Sequence, residues 1–201
     1  MAVDERAAFG AAAGWFLATV DEVGERWAEP GLGEWTVRDL VGHTSRSLTT
    51  VETYLDAEPG EVTVGSAVAY YEAVRQASTG PAVAERGRRA GAALGADPVG
   101  FLAELEERVR AKVAAAADDA FVATAAGGMT LADYLPTRTF ELVVHTADLA
   151  AALGVPGDPP PEAAASALQL AALLVREHGD ATDVLLALTG RRALPPGFTV
   201  L

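Results

Sequence analysis

Apolar residues in this chain recur at three- and four-residue steps in one stretch after another, and alanine supplies much of the apolar content. Half of the residues are hydrophobic, yet aromatic residues make up only 6%. Alanine favours helix and adds little volume, so the pattern calls for closely packed helices rather than a sheet sandwich. A chain of 201 residues is long enough to bury a continuous core without disulfides.

The first amphipathic stretch, about residues 4–28, carries Phe9, Ala13, Phe16, Val20 and Val23 on one face. Pro30-Gly31-Leu32-Gly33 ends it. Thr36 then offers an N-cap with Asp39 three residues on, an acidic form of the capping box. Val37, Leu40, Val41, Thr44, Leu48, Val51 and Leu55 follow as one apolar stripe. His43 falls about 120° from the centre of that stripe, on the side of Asp39, Ser47, Thr50 and Tyr54.

Pro59-Gly60 breaks the pattern, and a helix over about 65–77 carries Val68, Tyr71 and Val74. Residues 79–97 are glycine-rich and partly basic and read as a loop with short helical pieces. Asp97 or Pro98 opens the helix FLAELEERVRAKVAAAA, and Phe121–Thr124 is the one extended piece expected, closed by Gly127-Gly128. Thr130 repeats the capping pattern with Asp133. Pro136 either kinks the helix that follows or restarts it, and Gly154 ends it. The triple proline 159–161 is a rigid spacer before helices over 162–178 and 182–188, and the tail is expected to pack irregularly along the body. The expectation is a single all-α domain over 1–201, with a core bundle over about 4–155 and a helical extension over about 160–201.

The formal net charge of −13 argues against nucleic acid and anionic membrane surfaces as partners. No apolar run approaches the ~18 residues of a membrane span, and the acidic N-terminus lacks a signal-peptide layout. A cytoplasmic location is expected. The chain has no cysteine, so any thiol chemistry needs a thiol from outside.

Chemistry gathers on the helix after Pro136. Tyr134, Arg138, Glu141, His145 and Asp148 fall within roughly 80° of one another on an ideal wheel. An apolar face with Phe140, Val143, Val144, Ala147 and Ala151 points elsewhere. Glu141 and His145 are neighbours on adjacent turns, from which a carboxylate and an imidazole reach one small cation. A catalytic zinc site uses three protein ligands and an open position, and His43 is the natural third. Arg138 and Asp148 are candidates for holding a ligand or meeting an anionic substrate. The same residues admit plainer readings. An E-x-x-x-H pair recurs without metal, His43 suits a capped or surface histidine, and Arg138–Glu141 suits a surface ion pair. His178 lies at a helix end and Tyr70, Tyr71, Trp15 and Trp27 read as core or rim.

Two ordered motifs add to this. GEWTVRDLVGH (Gly33–His43) resembles a signature of the mycothiol-dependent maleylpyruvate isomerase family, within the DinB-like superfamily. RTFELVVHTADLAAALG (Arg138–Gly154) resembles that family's R-x-x-E-x-x-x-H-x-x-D signature, and LLALTGR (Leu185–Arg191) is similar to its usual ending. The resemblance implies a DinB-like four-helix bundle with additional short C-terminal helices, and a divalent metal, usually Zn2+, on His43, Glu141 and His145. The segment Gly31-Leu32-Gly33-Glu34 before Trp35 departs from the Cys-Pro-Gly often found there. The isomerases also carry a further C-terminal domain for which this length leaves no room, so the resemblance does not extend to maleylpyruvate as the substrate.

The expected function is thiol transfer or isomerisation. Mycothiol or a similar low-molecular-weight thiol serves as cosubstrate, and a small electrophile is the second substrate. Arg138 would position a substrate carboxylate and Asp148 would orient His145. The alternatives are a non-catalytic metal-binding bundle and a metal-dependent hydrolase; monomer and homodimer are both compatible with the sequence.

Overall fold

A computed structural model describes residues 3–75 and 81–201. Among them it holds eight α-helices and one two-stranded hairpin, so the all-α expectation holds. The helices are α1 (Glu5–Asp21), α2 (Val37–Leu55), α3 (Ala67–Val74), α4 (Pro81–Ala93), α5 (Pro98–Ala115), α6 (Leu131–Leu153), α7 (Pro161–His178) and α8 (Ala181–Leu188). Helices α1, α6, α2 and α5 close a four-helix bundle, each packing on the next and α5 returning to α1. Phe16, Leu40, Leu48, Leu102, Leu105 and Leu142 fill its centre. Helix α4 lies along α2, while α7 packs on α1 and α6. No helix among the described residues is long and apolar enough to cross a membrane.

Local chemistry sets the ends of the two helices that matter most. Thr36 and Asp39 form a complete capping box at α2, with Asp39 N–H donating to Thr36 Oγ1 at 3.2 Å and Thr36 N–H to Asp39 Oδ2 at 3.1 Å. Thr130 caps α6 through the N–H of Asp133 at 3.2 Å, and Gly154 ends it in the left-handed conformation at φ 66°. Pro136 lies inside this single continuous helix, so the helix does not restart there.

The structure corrects several expectations. Helix α1 stops at Asp21, not near residue 28. Gly24 takes φ 58°, and Arg26–Ala28 forms a separate 3-10 turn, which buries Val23. Helix α3 is shorter than expected at its start, opening after the Ser66 cap; its expected end at 77 lies outside the described residues. Phe121–Thr124 is extended, but it has a partner strand, Gly127–Thr130, paired antiparallel with Phe121 opposite Thr130. On α6 the buried face runs through Leu135, Leu142, Val143, Leu149 and Ala150, whereas Val144 and Ala151 are exposed.

The largest correction is residues 81–93, which form one continuous helix instead of a loop. The glycines that argued against a helix are its packing surface. A Cβ on Gly42 of α2 would come within 2.2 Å of the Gly91 backbone, and one on Gly87 within 2.4 Å of the Trp35 ring. Arg38 Nε also donates to Gly91 O at 2.8 Å, tying α2 to α4. Tertiary approach of two backbones outweighs the helix cost of glycine, about 1 kcal/mol per residue.

Gly42→Ala should therefore push α2 and α4 apart and cost about 1–3 kcal/mol. Gly10→Ala, in α1 with nothing within 4 Å of the added methyl, should stabilise by about 0.5–1 kcal/mol. Urea unfolding midpoints of the two variants, moving in opposite directions, would check this.

Candidate metal centre

Helices α2 and α6 pack side by side in the bundle and bring three donors together across some hundred residues of sequence. One ligand atom from each of His43, Glu141 and His145 lies within 4.8 Å of the others. The rings of His43 and His145 meet edge to face at 4.8 Å, and His145 Nε2 is 3.3 Å from Glu141 Oε2. Nδ1 of His43 is buried and has no hydrogen-bond partner among the described residues. A nitrogen, oxygen, nitrogen donor set with an unsatisfied imidazole fits a small divalent cation.

A surrounding layer orients these donors. Asp148 Oδ2 lies 3.1 Å from His145 Nδ1, which fixes that proton and directs Nε2 toward Glu141. Tyr71 from α3 donates its hydroxyl proton to Glu141 Oε1 at 2.8 Å. Trp35 lies against the His43 ring at 4.5 Å, itself held by its indole N–H on Ala84 O at 3.0 Å. Asp148 thus lies beside His145, while Tyr71, expected as core or rim, is buried and also touches a donor. Trp35 lies within the first motif, but nothing in its local spacing announces its contact with His43.

Arg138 is elsewhere. Although it shares a stripe with Glu141 on a helical wheel, its side chain is buried, with the guanidinium 5.0 Å from the Tyr134 ring and 5.3 Å from that of Tyr70. It does not line the cavity into which all three donors face.

That cavity encloses about 320 Å³. Trp35, Val83, Leu174 and Val200 supply apolar wall, and His178 of α7 enters with its Nε2 2.8 Å from Glu72 Oε1. No local spacing announces this pair, since the two residues come from α7 and α3.

The charges are strongly shifted. Burial disfavours an ionised Glu141, but the His145 hydrogen bond, the Arg138 charge and the Tyr71 hydroxyl outweigh it and hold the carboxyl at about 2. Burial also opposes a charged His145, yet hydrogen bonds to Asp148 and Glu141 raise it to about 9. His43 is lowered to about 4, first by burial and then by repulsion from His145. Burial and the Glu141 charge push Tyr71 well above its ordinary value, so its hydroxyl stays a donor. Without metal, a proton on His145 therefore neutralises the same carboxylate that a cation would.

These shifts act in opposite directions on stability. His145 binds its proton more tightly folded than unfolded, so its contribution is complete below about pH 6.5 and is lost as pH rises through about 9. His43 binds its proton less tightly folded, so stability falls as pH drops from about 6.5 toward 4. Melting of chelator-treated protein across this range should show a maximum near pH 6.5. His145→Gln should remove the alkaline decline; a wild-type Tm that keeps rising through pH 9 would contradict the assignment.

No curated protein and no solved structure matches the chain significantly. The family described as mycothiol maleylpyruvate isomerase N-terminal domain matches residues 6–150, a span that contains nearly all of the bundle and all three converging side chains. With that match over most of its length, the chain belongs to the mycothiol maleylpyruvate isomerase N-terminal domain family, and its fold is a DinB-like helical bundle.

Proposed function

We propose that the protein is a metal-dependent thiol transferase or isomerase that uses mycothiol or a related low-molecular-weight thiol and acts on a small electrophile. The observation that carries this is the convergence of His43, Glu141 and His145 on one cavity in a chain of this family. Zn2+ is the proposed cation, held by those three residues with a position left for the cosubstrate. When bound, it supplies one thing: a coordinated thiol loses its proton and becomes a nucleophile near neutral pH.

The residues of the chain do the rest. Asp148 keeps His145 in the orientation that presents Nε2. Tyr71 holds Glu141 in place through its hydroxyl. Trp35 covers His43 and, with Val83, Leu174 and Val200, keeps water from the cavity. The chain has no cysteine of its own, so no internal thiol competes for the position.

One observation favours a second reading, metal-assisted hydrolysis. The His178–Glu72 pair lines the same cavity and would serve as the base that such a reaction requires. The two readings part on the need for thiol. Zinc-loaded protein given mycothiol and an activated aryl halide should form conjugate faster than thiol alone, and chelator-treated protein should not. Conjugation at the thiol-only rate would overturn thiol transfer. Thiol-free turnover of an activated ester that His178→Gln abolishes would replace it with hydrolysis.

A further inference from the structure

His43, Tyr71, Arg86 and Glu141 also line a second cavity, of about 230 Å³. Its chemistry differs from that of the first. Arg46, Arg86 and Arg138 bring three guanidinium groups to it, with the rings and hydroxyls of four tyrosines, and Glu141 is the only carboxylate among its described lining residues. The cavity is therefore cationic, inside a protein whose formal net charge is −13.

Arg138 makes the case specific. The residue is 8% exposed. Nε donates to Thr137 Oγ1 at 3.0 Å and Nη2 to the Tyr70 hydroxyl at 3.3 Å, and no carboxylate among the described residues is in ion-pair contact with it. Glu141 acts on this guanidinium only at longer range, and taking a guanidinium out of water without a carboxylate in direct contact is costly. The faces of Tyr70 and Tyr134 offset part of that cost, but a ring is a weaker partner than a carboxylate. Half-buried Arg46 adds a second cation whose side chain has no partner among the described residues. Two guanidinium groups with no carboxylate in contact among the described residues, on side chains that line one cavity, form a site arranged for an anion that arrives from outside.

We propose that this second cavity is an oxyanion subsite, in which Arg138 and Arg46 receive the carboxylate of a small organic acid and the tyrosine rings take its body. The planar guanidinium matches a planar carboxylate, and the flanking rings favour a flat, partly apolar ligand over inorganic phosphate. That this acid is the second substrate of thiol transfer rests on the function proposed above; the binding itself does not. The two cavities share wall at His43 and Glu141, so an acid held in one meets a thiol held in the other at the three converging donors.

Calorimetric titration of the full chain with benzoate, benzamide and inorganic phosphate tests the subsite. A carboxylate also ligates zinc, so each titration is run on zinc-loaded and on chelator-treated protein. In both forms benzoate should bind at least about tenfold tighter than benzamide or phosphate. Arg46→Gln should remove most of that preference with metal content unchanged, and Arg138→Lys should weaken benzoate further. Equal binding of benzoate and benzamide, tighter binding of phosphate, or a benzoate preference untouched by Arg46→Gln would each overturn the subsite. A benzoate preference in protein that takes up no metal would uphold the subsite and leave the thiol-transfer reading to fail alone.

Discussion

Glu141 is a carboxylate carried into the bundle, and the residues around it are arranged to keep it charged. Burial alone would neutralise it. The hydrogen bond from Tyr71, the contact with His145 and the charge of Arg138 oppose that, and each partner has its own support. His145 leans on Asp148, Arg138 is packed between tyrosine rings, and Tyr71 arrives from a short helix that packs against α6. Removing one partner would leave a buried charge uncompensated, which is why the polar groups form a connected set rather than a scatter of contacts.

The helix pair that delivers His43 depends on a different constraint, close approach without side chains. Gly42 and Gly91 let α2 and α4 touch backbone to backbone, and Gly87 leaves room for Trp35, which in turn packs on His43. This explains an asymmetry in what the sequence reveals. The capping boxes at Thr36 and Thr130 are local hydrogen-bonding patterns, so the starts of α2 and α6 were legible from a few residues. The spacing of Glu141 and His145 on one helix was equally legible. Helix α4 was not, because its glycines lower local helix propensity and their benefit lies on another helix. Tyr71, Trp35, Glu72 and His178 escaped for the same reason: each acquires its role through a partner on a different element.

The family match ends at residue 150, yet the cavity does not. Leu174 and His178 on α7, together with Val200 and Leu201, form part of its wall. The three converging donors thus belong to the span shared with the family, while one side of the cavity comes from sequence beyond it. On the proposed function, the shared span would hold the thiol cosubstrate and, in the arginine-lined second cavity, the acid, while the added wall would shape what reaches them.

The proposed chemistry depends on His43, Glu141 and His145 holding a cation together. Elemental analysis of tag-free protein purified without added metal, beside His43→Ala and Glu141→Ala, addresses that claim. About one divalent metal per chain in the wild type, with both variants sharply depleted yet still helical, is the result expected. A wild type that takes up no metal even after reconstitution with zinc, or variants that keep the full wild-type content, would contradict it.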